Sequence, residues 1–124
     1  VLEKSDVISV NCSANDQTRD LFSKEVFGKM KDGAYFINTA RSYMVDYNAL
    51  FNALAEGQIS GAAIDVFETE PLGPSYPFLR LDNVTLTNHR GSDTVNAYSD
   101  SPAMMLTELS NWLNRGVAPK FKVV

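Results

Sequence analysis

An α/β fold built on a mostly parallel sheet is what this 124-residue chain predicts. Short apolar runs alternate with amphipathic stretches, the rhythm of strands joined by helices rather than by hairpins. The runs show little polar alternation, as strands covered on both faces do. Three of them end in polar clusters: Asn38-Thr39-Ala40-Arg41, Asp65-Val66-Phe67-Glu68-Thr69-Glu70-Pro71 and Leu86-Thr87-Asn88-His89. The carboxyl ends of strands are where open α/β sheets bind their ligands.

Asp6-Val7-Ile8-Ser9-Val10-Asn11 is a β-rich run, followed by a polar, loop-like stretch from Cys12 to Asp20. From Phe22 to Lys31, apolar Phe22, Val26, Phe27 and Met30 recur at i, i+4, i+5 and i+8, the spacing of an amphipathic helix. Asp32-Gly33 closes that helix, and Ala34 to Asn38 reads as a buried strand. Asp46 is a good N-cap for a helix that carries Tyr47, Leu50, Phe51 and Leu54 on one face and stops at Gly57. Gly61 to Phe67 gives another buried strand, with small residues that let a helix pack closely over the sheet. A proline-rich loop from Pro71 to Pro77 leads to a fourth strand, Val84 to Thr87. The last long element runs from about Asp93 to Asn114, with an apolar stripe of Met105, Leu106, Leu109, Trp112 and Leu113. Pro102 inside it is expected to start or kink a helix, because proline has no N–H to donate. The order is β-α-β-α-β-β-α.

At 44% hydrophobic and 21% charged residues the chain is globular, about one domain in size and too short for a two-domain enzyme. The net charge of -4 and the scatter of Lys4, Lys24, Lys29, Lys31, Arg80 and Lys120 argue against a nucleic-acid surface or a polybasic membrane patch. Cys12 is the single cysteine and His89 the single histidine, so neither an internal disulfide nor a metal site is expected. No apolar run approaches the roughly 20 residues that span a bilayer. No signal peptide is seen and Val1 is not an initiator methionine, so the chain reads as a cytoplasmic protein or a piece of one.

Arg41, Glu70 and His89 at three strand ends compose an acid–base site suited to a 2-oxo or 2-hydroxy acid. On the residues alone other readings stand beside this one. His89 could cap a strand, Arg41 could end one in an ion pair, Asp65 could cap the Pro71 loop, and Glu68 is as good a carboxylate as Glu70.

The motifs Asn38-Thr39-Ala40-Arg41, Val45-Asp46 with Ala49-Leu50, Gly61 to Leu72, Asp82-Asn83-Val84 and Thr87-Asn88-His89 fall in an order and spacing that resembles the D-isomer-specific 2-hydroxyacid dehydrogenase family. The similarity covers Ser5 to Gly116. It implies the second half of a Rossmann-type, doubly wound parallel sheet in a three-layer αβα arrangement. Residues 1–92 would be part of the NAD(P)-binding domain, and residues 93–124 a long helix and tail returning to the substrate-binding domain. The glycine-rich turn and the ribose-binding acidic residue would lie upstream of Val1.

The resemblance also implies roles. His89 exchanges the proton with the substrate oxygen, Glu70 rather than Glu68 orients the imidazole, and Arg41 grips the substrate carboxylate with its two-pronged guanidinium. Hydride transfer belongs to NAD, or to NADP, whose choice is made upstream. Asp65 would meet the carboxamide of the nicotinamide ring. Cys12, Ser13, Thr39, Ala40 and Arg41, together with His89, Gly91 and Ser92, would line the cofactor, and the complete protein would be a homodimer. The chain departs from the family pattern at Asn11, often histidine, at Ser13, usually proline, at Ser42, commonly glycine, and at Asn88 and Arg90, where proline and an apolar residue are usual. Arg90 beside the site is expected either to admit a more acidic substrate or to disfavour the charged imidazole of His89 by like-charge repulsion. The rival reading is a catalytically silent dinucleotide-binding sensor or scaffold, or an inactive fragment. This segment alone is expected to be inactive, with an unpaired sheet edge and an exposed stripe at Leu109 and Trp112 that demand a partner.

Overall fold

The computed structural model describes residues 1–119. It divides into two compact units, Val1–Arg90 and the chain from Gly91 onward.

The first unit is a four-stranded, wholly parallel sheet of Rossmann type. Strands β1 (Val7–Val10), β2 (Tyr35–Asn38), β3 (Gly61–Ile64) and β4 (Val84–Leu86) lie side by side in chain order. Ile8 pairs with Phe36, Phe36 with Ala62 and Ala62 with Val84 across one row. Because every strand runs the same way, all four carboxyl ends open on one rim.

The connections explain the direction. Helix α1 (Lys24–Phe27) lies between β1 and β2, and helix α2 (Tyr47–Ala55) between β2 and β3. From β3 to β4 the chain crosses through the proline-rich loop with only a short 3-10 turn, Pro77–Arg80. This stretch exceeds the dozen or so residues that a parallel crossover needs. The Glu70–Pro71 peptide within it is cis.

Helix α2 is the element foreseen. The Asp46 carboxylate accepts the Ala49 N–H at 3.0 Å, and Tyr47, Ala49, Leu50, Ala53 and Leu54 are buried. Helix α1 is shorter than its periodicity predicts. Phe22 stays extended because its backbone is taken by another segment: its N–H donates to Met44 O and its carbonyl accepts Asp46 N–H, in a parallel bridge with Val45. After Phe27 the bonding tightens to three-residue turns, Lys29 N–H to Val26 O and Met30 N–H to Phe27 O. The apolar spacing therefore serves burial of Phe22, Phe27 and Met30 without a continuous helix.

The core lies on one face of the sheet. Phe22, Phe27 and Phe36 meet with ring centroids 5.0–6.1 Å apart, and Met44, Leu50, Ile59 and Ile64 are fully enclosed around them. The coverage expected on both faces is seen on this one. The other carries Val7 and Tyr35, each 53% exposed. On that face the Tyr35 ring lies over Gly61. A Cβ at Gly61 would stand 2.9 Å from Asn83 O and 3.2 Å from the ring, so only glycine fits there.

The second unit consists chiefly of helix α3 (Val95–Arg115). Thr94, not Pro102, starts it, the threonine hydroxyl accepting Ala97 N–H at 3.1 Å. Pro102 sits inside the helix. Gly116 ends it in the left-handed conformation, its N–H returning to Trp112 O. Met105, Leu106, Leu109, Trp112 and Leu113 are all exposed, as the stripe predicts. Among the described residues no helix is long and apolar enough to cross a membrane.

Candidate active site

Asn38 ends β2 fully buried, where an amide must find partners. Its Oδ1 accepts the N–H of Ala40 at 3.1 Å, and its Nδ2 donates to Arg41 O at 3.2 Å and Tyr47 Oη at 3.4 Å. The amide thereby shapes the Thr39–Arg41 turn. Tyr47 in turn donates to Val66 O, and burial first of all holds its phenol far above the usual range, so it stays neutral. The small residues of this turn and of the β1 end, Cys12, Ser13, Ala14, Thr39 and Ala40, together with Arg41, line a cleft of about 310 Å³. The Cys12 thiol lies 3.5 Å from the buried Met44 sulfur. Arg41 is exposed at the cleft. Its Nη1 donates to its neighbour Ala40 O at 2.7 Å, and among the described residues it forms no ion pair.

Beyond β3 the chain stays buried through Asp65, Val66 and Phe67 before emerging at Glu68. Asp65 is 4% exposed. Its Oδ1 accepts the Thr87 hydroxyl at 2.6 Å and the Arg90 N–H at 2.9 Å. The loop after Phe67 rests on aromatic rings, Phe67 meeting Tyr76 edge-on and Tyr76 stacking on Phe78. Burial, ahead of the Glu68 charge, pushes the Tyr76 phenol up to about 12.

Glu70 turns back from this loop. Its Oε1 accepts Phe67 N–H at 3.0 Å, and His89 Nδ1 stands 2.9 Å from Oε2 and 3.1 Å from Oε1. The hydrogen bond with His89, then that from Phe67, holds the Glu70 carboxyl below the usual carboxylate range. Both side chains remain partly open to solvent, 45% and 38% exposed. With Nδ1 engaged, Nε2 is the ring nitrogen left for an incoming group. Glu68, the equal candidate on sequence, is exposed and makes no such bond, so the structure selects Glu70 as the partner of His89. Phe67, Glu70, Pro71, Leu72 and Asn88 line a second cleft, of about 460 Å³.

The predicted site residues thus fall into four groups. His89 and Glu70 are joined directly. Asp65 braces the turn that bears His89. Cys12, Ser13, Thr39, Ala40 and Arg41 share the other cleft, while Gly91 and Ser92 begin the second unit. Sequence reasoning missed Asn38 and Thr87. Asn38 closes an apolar strand, where asparagine is depleted, and that was the available signal; Thr87 gave none, because threonine is common in strands.

Comparison with known proteins bears on the family and the fold. Residues 1–91 match the family model described as D-isomer specific 2-hydroxyacid dehydrogenase, NAD binding domain. A glyoxylate reductase of Thermofilum pendens is 50% identical over 97 residues, 78% of this chain and 29% of that protein. The glyoxylate reductase/hydroxypyruvate reductase of Mus musculus is 44% identical over 110 residues, 89% of this chain and 33% of that one. A D-isomer specific 2-hydroxyacid dehydrogenase from Xanthobacter autotrophicus Py2, solved with NADPH and MES, superposes with a TM-score of 0.86 at 32% identity, over 99% of this chain and 50% of its own. The chain spans about a third of the length of the two reductases.

Proposed function

Because the chain belongs to the D-isomer specific 2-hydroxyacid dehydrogenase family, as its NAD-binding domain, we propose that the protein carrying it interconverts a small 2-oxo acid and its 2-hydroxy acid. NAD or NADP is the co-substrate. The observation that carries this reading is the pairing of the single histidine with Glu70 at the strand-end rim.

The cleft formed by Cys12, Ser13, Thr39 and Ala40 suits one part of a dinucleotide: its walls are small, and it opens at the carboxyl ends of adjacent parallel strands. When bound, the dinucleotide supplies or accepts the hydride. Asp65 receives its carboxamide, and Gly91 and Ser92 line it further on. Arg41 holds the substrate carboxylate through paired N–H donors and polarises the neighbouring carbonyl. In reduction, His89 gives a proton from Nε2 to the carbonyl oxygen as that oxygen gains charge; in oxidation it takes the proton back. Glu70 keeps the ring oriented through Nδ1 and offsets the positive charge of the protonated imidazole. The complete protein acts as a cytoplasmic homodimer, and the stretch from residue 93 to 119 leads back to its substrate-binding domain; residues 120–124 of the same expected segment lie outside the described residues.

The test is oxidation of NADH and of NADPH by the complete protein with a panel of 2-oxo acids, beginning with glyoxylate and hydroxypyruvate. Turnover is expected, and His89→Ala should abolish it while cofactor affinity stays nearly unchanged. Absence of turnover with every acid and both cofactors would overturn the reading and leave a dinucleotide-binding module.

A further inference from the structure

We propose that the Asp65 carboxylate and the Thr87 hydroxyl form a clamp that fixes His89 in a left-handed backbone conformation, which makes Thr87 a positioning residue for the proton-transfer step. This rests on the role given to His89 above. His89 has φ 51°, a conformation that residues with a Cβ adopt only when their surroundings impose it. The donors on either side of it, Thr87 Oγ1 and Arg90 N–H, converge on one oxygen, Asp65 Oδ1, at 2.6 and 2.9 Å. An N–H at the position of Arg90 ordinarily returns to the carbonyl three residues earlier in a tight turn. Here it donates to a side chain from the neighbouring strand end instead.

That side chain is itself immobile. Asp65 N–H donates to Asn38 O at 3.0 Å, and Thr87 N–H donates to Ile64 O at 3.0 Å, so both ends of the clamp are extensions of the sheet ladder. The carboxylate draws residues 87 and 90 together, the chain between them reverses, and His89 takes the positive φ. The imidazole then meets Glu70 through Nδ1. Thr87 touches neither substrate nor cofactor in this scheme; it acts through His89.

The experiment compares Thr87→Val, which keeps the β-branched shape and loses the hydroxyl, with Thr87→Ser, which keeps the hydroxyl. Both are made in the complete protein. The Thr87→Val variant is expected to lose about 10- to 100-fold in kcat, the scale of a misplaced reacting group. Thr87→Ser should recover most of that loss. A crystal structure of Thr87→Val should show His89 at negative φ, with Nδ1 beyond hydrogen-bond distance of Glu70. Parental kcat in Thr87→Val, or His89 still left-handed and on Glu70, would overturn the clamp. So would a loss that Thr87→Ser fails to recover, since that would mark a packing role. If the parent protein turns over no 2-oxo acid, the functional reading fails by itself, and the conformation of His89 in the Thr87→Val crystal still decides the clamp.

Discussion

Glu70 meets His89 with one carboxylate oxygen 2.9 Å from Nδ1 while its other oxygen accepts the N–H of Phe67, three residues back along its own loop. The partner of the imidazole is therefore anchored locally, and its orientation does not depend on a third side chain.

Glu70→Gln keeps an oxygen for Phe67 and removes the charge. Loss of kcat by roughly 10- to 100-fold is expected, below the roughly 100- to 10,000-fold that a group transferring the proton itself contributes, because Glu70 acts through His89. The Glu70 pKa is lowered by His89 first and by Phe67 second, from an ordinary 4.5. A carboxyl lowered in the folded state stabilises it above the unfolded value, and that contribution disappears as the pH falls through the lowered one. Urea unfolding of parent and variant should thus differ at neutral pH and converge below 4.5. A stability gap that persists in acid would contradict the pairing.

Arg41→Lys retains the charge and loses the fork. With only single contacts available to a carboxylate, KM for the acid should rise at least about tenfold, in keeping with the ~1.5–3 kcal/mol of a charged hydrogen bond. Steady-state kinetics with acid and cofactor varied separately will show whether the effect falls on the acid alone.

Asn38→Leu leaves Ala40 N–H and Arg41 O without their buried partner. A cost of about 1–3 kcal/mol is expected for each group so orphaned. Urea denaturation should register the loss, and KM for the acid should rise with it, because the same amide shapes the turn that presents Arg41.

Gly61→Ala drives a methyl against Asn83 O and the Tyr35 ring. A destabilisation of about 1–3 kcal/mol follows from overpacking of this kind. Tyr35→Ala in the same background should recover part of it, whereas the Asn83 backbone cannot move aside. Thermal denaturation of the two variants measures both effects.

The parallel sheet, α2 and α3 were legible because their signals are local: apolar runs, the Asp46 cap, the stretch from about Asp93 to Asn114 with its apolar stripe. Phe22 was misread for the opposite reason. Its backbone partners, Met44 and Asp46, lie far along the chain, and no local spacing reveals a bridge of that kind. The residues Arg41, Glu70 and His89 were picked out by their positions after strands, and the choice of Glu70 over Glu68 came from the family pattern. Thr87 escaped because its importance lies in a bond to Asp65, a residue on another strand end.

The four strands β1 to β4 run parallel, so the turns at their amino ends gather on the rim opposite the proposed chemistry. The exposed Glu56–Gly57 corner lies there, with open space around Gly57. Fluorophores, affinity handles or short insertions at that corner have room to sit without reaching the clefts. Within the first unit, the directionality of the sheet separates the rim suited to attachment from the rim of the proposed chemistry.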